Sequence, residues 1–151
     1  GSSFDFVRAL LLDQVDSTKN LPFTPAAKWD SNLKIDFKQY KLLKNMYFEI
    51  EWVHYFKQNK IFSAYETESI TNAYSLFNLG LGFDIINKKG NIVSNLYFSA
   101  NNIFDIAYQD HLSRLKYAAE NPITWRIGIF NMGRNLSVKL IVPFGKTLKN
   151  T

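Results

Sequence analysis

Glu49 and Glu51 stand two positions apart in a stretch that alternates polar and apolar side chains, so both carboxylates fall on one face of a strand, as a paired acid and base require. Asp110, His111 and Ser113 are the residue types of a hydrolytic triad, but they crowd into one short segment. A triad draws its members from separate elements so that nucleophile, base and orienting group converge on one atom. His54 and His111 are the 2 histidines, so an ion site would need carboxylates such as Glu66, Glu68 or Asp110, and His111 with Asp110 is the candidate metal pair. Gly133-Arg134-Asn135 is no phosphate cradle, because the residues after it alternate as a strand instead of opening a helix. Without convergent groups the expectation is a protein that is not an enzyme and holds no resident cofactor, its carboxylates lining a solvated face.

The elements that carry these residues are strands. Trp29, Leu33, Ile35 and Phe37 alternate with Lys28, Asp30, Asn32, Lys34, Asp36 and Lys38. After a connection at 39–45, Met46, Phe48, Ile50, Trp52, His54 and Phe56 oppose Tyr47, Glu49, Glu51, Val53 and Tyr55. A third run sets Ala73, Ser75, Phe77, Leu79, Leu81, Phe83 and Ile85 against Asn72, Tyr74, Asn78, Gly80, Gly82 and Asp84; the small residues predict crowding on that face. Past a hairpin at 87–91, Ile92, Leu96, Phe98, Phe104 and Ile106 oppose Asn95, Ser99, Asn101 and Asp105. The last run places Leu136, Val138, Leu140, Val142 and Phe144 opposite Ser137, Lys139 and Pro143, after an extended stretch at 123–130 and a turn at 131–134. The opening stretch, 4–12, is extended, with Arg8 interrupting its apolar set. The expected fold is all-β, an antiparallel meander of six to seven long strands, with connections long after Asp13, short after Lys38, long after Lys57, short after Asn87 and long after Gln109.

Composition narrows the class. The chain of 151 residues is 46% hydrophobic, enough for one domain, and its 13 Phe and 8 Tyr favour strands and interfaces over helical bundles. Its net charge of +5 sits on lysines in connections (Lys38, Lys41, Lys44, Lys88, Lys89), which argues against a nucleic-acid groove. The absence of Cys removes disulfides and thiolate metal sites. Gly1-Ser2-Ser3 lacks the charged and apolar regions of a signal peptide. The runs 26–38, 45–57 and 71–86 exceed the strand of about 5–6 residues usual in soluble domains and are long enough to cross a bilayer when tilted. Segregation of long and short connections to opposite ends matches outer-membrane barrels. Trp29, Trp52, Tyr55 and Tyr108, near the run ends, are candidates for interfacial girdles.

Several elements, in order, resemble the C-terminal part of TonB-dependent outer-membrane receptors, particularly those of Bacteroidetes-type bacteria. They are Leu21-Pro22-Phe23-Thr24-Pro25-Ala26, then Glu66-Thr67-Glu68 with Tyr74, then Asn101, Asn102, Phe104, Asp105 and Tyr108. Asp110-His111-Leu112-Ser113-Arg114, Gly133-Arg134-Asn135 and a strand ending at Phe144 complete the set. The resemblance spans nearly the whole chain and implies that 1–144 is a barrel segment and 145–151 a C-terminal tail. It also implies a fragment of a barrel of about 22 strands, a size that leaves a plugged lumen, whose plug, TonB box and first strands lie elsewhere. The implied activity is uptake of a scarce ligand (siderophore, metal, haem, cobalamin or glycan) in the cell outer membrane. The implied partners are outer-membrane lipid, the TonB complex through the missing N-terminal part, a small-molecule or metal-chelate ligand, and the barrel-assembly machinery, which would read Phe144 as its signal; Gly145 and the residues after it depart from that pattern.

The residues by themselves also allow a small soluble barrel of lipocalin type enclosing an apolar ligand. In isolation the segment is expected to form a small or partly open barrel, or to pair its edge strands in a dimer.

Overall fold

The computed structural model describes residues 1–15 and 18–144. Its centre is one six-stranded antiparallel sheet in the order β1-β4-β5-β6-β7-β8, beside a two-stranded sheet of β2 and β3. The strands are β1 (Ser2–Asp5), β2 (Leu10–Val15), β3 (Thr18–Asn20), β4 (Lys28–Tyr40), β5 (Leu43–Tyr55), β6 (Tyr74–Ile86), β7 (Ile92–Asn101) and β8 (Asn135–Ile141). Two short 3₁₀ turns, Ala64–Glu66 and Arg114–Tyr117, are the helical content of the described residues.

The all-β expectation is met, with corrections to its extent. The long strands are four, not six or seven: β4, β5 and β6 have 13 residues each and β7 has 10. The opening stretch divides into β1 and β2 and does not run through 4–12. β7 stops at Asn101, so Phe104 and Ile106 belong to the turn that follows. The stretch 123–130 forms turns and no strand, and β8 ends at Ile141, which leaves Phe144 outside it and 95% exposed. No closed barrel forms among the described residues: β1 and β8 are the two edges and do not pair with each other. The tail at 145–151 lies outside the described residues.

Register turns the sequence alternation into two faces. Phe48 sits between Ile35 and Leu81, Ile50 between Leu33 and Leu79, and Trp52 between Ser31 and Phe77. Leu79 and Leu81 continue onto Ala100 and Phe98, and these onto Leu136 and Val138. The opposite face carries Lys34 across from Glu49, Glu49 from Gly80, and Gly80 from Ser99, which meets Ser137. Side chains directly across a ladder share a face, so six strands merge into one apolar and one polar surface.

Turn chemistry holds this register. Lys41 takes a left-handed conformation in the tight turn joining β4 to β5, shorter than the connection expected at 39–45. Asn45, also left-handed, marks the bulge where β5 shifts against β6, and its amide donates to Asp84 Oδ2 at 2.7 Å. In the second turn, Asn87 Oδ1 accepts from the backbone N–H of Lys89 and Asn91. These two tight turns lie at one end of the sheet; the connections 6–27, 56–73 and 102–134 all lie at the other.

The crowding expected on the polar face is present. A Cβ on Gly82 would run into the Tyr47 ring edge and come within 2.8 Å of Tyr97 Cδ1, because both rings lie over the glycine. Gly82→Ala is therefore expected to displace both rings and destabilise the sheet by about 1–3 kcal/mol. Denaturant unfolding of Gly82→Ala measured beside Gly80→Ala, where an added Cβ on the same face of β6 meets its neighbours no closer than 3.6 Å, separates this overlap from a general glycine effect.

Candidate functional site

The most densely bonded polar cluster sits where the three long connections meet. Glu68 Oε1 accepts from the backbone N–H of Phe23, and Oε2 accepts from that of Phe62 at 2.7 Å. Lys116 Nζ donates to the carbonyls of Ser69 at 2.7 Å and Ile70 at 3.1 Å, and to Thr71 Oγ1 at 2.7 Å. His111 Nδ1 lies 2.8 Å from the same hydroxyl, and its Nε2 lies 3.9 Å from Glu68 Oε1. His111 is 3% exposed, and its Nε2 has no hydrogen-bond partner. Gln58 extends the cluster: its backbone pairs both ways with Thr71, and its amide donates to the carbonyls of Thr24 and Pro25.

Burial sets the electrostatics. Taking the imidazole out of water pushes His111 below its ordinary 6.5, Lys116 pushes the same way, and Glu68 and Asp110 oppose it. Burial likewise lowers Lys116 from its ordinary 10.5, against the pull of Glu68. Glu68 and Lys116 give one negative and one positive charge, balanced when His111 is neutral.

The candidate metal pair, Asp110 and His111, lines one cavity, with each residue bonded to different partners. Asp110 turns to the Tyr74 hydroxyl, which donates to it at 3.3 Å, and to the backbone N–H of Leu112 at 2.8 Å, while His111 faces Thr71 and Glu68. Among the described residues no three His, Cys, Asp or Glu converge as an ion's ligand set, so neither residue is assigned as a ligand. Ser113 has its backbone bonded to Asp110, within one local turn.

Of the residues behind the family resemblance, Asn101, Asn102, Phe104, Asp105, Gly133, Arg134 and Asn135 gather where the β7–β8 connection leaves and rejoins the sheet, while Phe23, Glu68 and His111 belong to the cluster above. Asn101 pairs with Asn135 across the ladder. Asn102 exchanges two hydrogen bonds of 2.9 Å with the backbone of Ile106, and its own N–H donates to Asn78 Oδ1. Asp105 Oδ1 accepts from the backbone N–H of Arg134 at 2.8 Å, close beside Gly133. Phe104 meets Phe77 edge to face at 5.2 Å, and Tyr108 stacks on Tyr74, which stacks on Tyr55, each pair at 4.6 Å. Phe144 lies apart from both groups, beyond β8.

The girdle candidates divide between the faces. Trp29 and Trp52 lie 6.4 Å apart on the apolar face, in a row with Phe4, Phe56 and Phe77, and Trp29 Nε1 donates to Ser2 Oγ at 2.7 Å. Tyr55 and Tyr108 belong to the stack beside Asp110 on the polar side. That side also carries a groove of about 370 Å³ lined by Tyr47, Glu49, Glu51, Tyr97, Ser99 and Lys139. Glu51 accepts from the Asn78 amide at 2.6 Å, and Glu49 from Asn32 at 3.4 Å, so the two carboxylates are hydrogen-bonded sideways to amides.

Sequence reasoning named Glu68 as an ion ligand and part of a family element, named His111 in both ways and as a triad type, and missed Thr71 and Lys116. Periodicity carries no sign of them, because the Lys116 contacts reach back across 45 to 47 positions. These features define a class: an open antiparallel sheet with one bare apolar face, one polar face and its long connections tied at one end. No protein-family model matches the sequence, and comparison with curated proteins and with solved structures returns no match.

Proposed function

We propose that this chain is the C-terminal strand set of a TonB-dependent outer-membrane receptor and contributes the wall of a barrel through which a scarce ligand is taken up. One observation carries the reading: the apolar face is bare across all six strands. Leu33 is 60% exposed, Val138 66% and Leu136 71%, with the Phe98 and Leu81 side chains open between them. Nothing among the described residues covers them, and an apolar surface of this extent calls for an apolar neighbour. A strand of 13 residues, at about 3.4 Å per residue and tilted by about 40°, rises roughly 30 Å, the thickness of a bilayer's hydrocarbon.

The other features agree with that assignment. The three long connections share one end, the Trp29 and Trp52 row lies near it on the lipid side, and the groove with Glu49, Glu51 and Lys139 faces the lumen. The unpaired edges of β1 and β8 await neighbouring strands of the same barrel, and no chemical reaction is assigned to the chain. The TonB complex would engage N-terminal segments outside this sequence, and the assembly machinery the last strand. Nothing specific favours the small soluble barrel, whose apolar side chains would have to be enclosed.

Site-directed spin labels test the reading in lipid vesicles. Labels placed singly at 48–52 should alternate: Phe48, Ile50 and Trp52 relaxed by oxygen dissolved in the lipid, Glu49 and Glu51 by a water-soluble nickel chelate. A monomer that stays folded in buffer without amphiphile, with labels at 48 and 50 shielded from both agents, sinks the proposal.

A further inference from the structure

The knot of loops is built from charge, and its parts come from all three long connections. Phe23 belongs to 6–27, Glu68 and Thr71 to 56–73, and His111 and Lys116 to 102–134. We propose that this cluster is an acid-released latch: neutral His111 holds the three connections together, and protonation of its ring loosens them. The latch rests on loop geometry alone and stands whether or not the strands face lipid.

The hydrogen bonding shows how a neutral His111 fits. An ammonium has only donors, so Thr71 Oγ1 accepts from Lys116 Nζ, and its own proton is free to point at His111 Nδ1. A neutral ring that accepts there carries its proton on Nε2, facing Glu68 Oε1 at 3.9 Å. Protonation puts a hydrogen on both ring nitrogens; the Thr71 hydroxyl must then turn its own hydrogen away and accept from two cations at once, the imidazolium and Lys116.

Two carboxylates, Glu68 and Asp110, favour a charged ring, against burial and the Lys116 ammonium. Glu68 balances one cation, and both its oxygens already accept backbone N–H groups. Asp110 accepts from Tyr74 and Leu112. Tyr55, Lys28 and Asp5 line the same cavity, where Lys28 lies 3.5 Å from Asp5 and 3.6 Å from Asp30. Burial therefore prevails and keeps the ring easier to deprotonate than a histidine in water.

The sign of the pH effect follows. The folded value lies below 6.5, so between the two values the opened loops bind a proton that the closed ones do not. The latch is at full strength above pH 6.5, weakens as pH falls toward the folded value, and levels off below it.

The experiment follows the imidazole resonances of His111 by NMR, with amide hydrogen exchange of 58–71 and 108–118 from pH 7.5 to 5, in whichever medium holds the sheet folded, detergent micelles or buffer. The wild-type ring should titrate below 6.5, and protection of those amides, corrected for intrinsic rates, should fall by up to about tenfold per pH unit over the same range. Lys116→Met removes the competing cation and should raise the His111 midpoint; His111→Gln should leave protection independent of pH. A wild-type ring that titrates at or above 6.5 overturns the latch. So does a His111→Gln protein whose loops lose protection as the wild type's do.

Discussion

Leu79→Arg is expected to destabilise the vesicle-inserted protein by about 2–4 kcal/mol, the measured range for a cationic side chain on the lipid face near a bilayer's midplane. Leu79 lies at the centre of the apolar face, between Ile50 and Ala100, with no polar partner on that side. Its matched control is Ser99→Arg. Ser99 is on the opposite face, beside the groove that holds Glu49 and Glu51, where a guanidinium finds water and carboxylates. That substitution should shift stability by no more than about 0.5 kcal/mol. Guanidinium unfolding from lipid vesicles reads both, and equal effects at the two positions would mean that neither face meets hydrocarbon.

The second large effect is expected at Glu68. Replacing it with Leu leaves the backbone N–H groups of Phe23 and Phe62 without their acceptor and strips the buried Lys116 ammonium of its countercharge. A buried donor left unsatisfied costs about 1–3 kcal/mol, so the two together set a loss of roughly 2–6 kcal/mol, to which the uncompensated ammonium adds. The loss should be local. Amides of 58–71 and 108–118 should exchange fast and become open to protease, while those of β5 and β6, held by their own ladder, keep their protection. Glu68→Gln, which keeps one carbonyl acceptor, should fall between wild type and Glu68→Leu. Unchanged exchange in Glu68→Leu would show that the connections are held by something other than this cluster.

The contrast between these two sites shows what is legible in a sequence of this kind. Glu49, Ile50 and Glu51 announce their faces by alternation alone, since a strand has a repeat of two and any partner in register must copy it. The same rule gives β4, β5 and β6 within a few residues of their observed ends. It misled at Phe104 and Ile106, whose apolar side chains continue the alternation after Asn102 has already turned the chain with a left-handed backbone. At 123–130 it misled again: side chains such as Ile123, Ile127 and Ile129 are exposed, and this stretch bonds back to Leu115 and Ala118 instead of pairing with a strand.

The sequence by itself determined the strand class, the two faces, the tight turns and the placing of long connections at one end, because each depends on neighbours a few positions apart. Only the tertiary structure decided the rest. It joined Glu68, Thr71, His111 and Lys116 into one buried cluster, tied Asp105 to Arg134, and left the sheet open at β1 and β8. A hydrogen bond or ion pair between residues tens of positions apart leaves no period in the chain. Its strength comes from the water excluded when the loops close, and that exclusion exists only once all three connections have met.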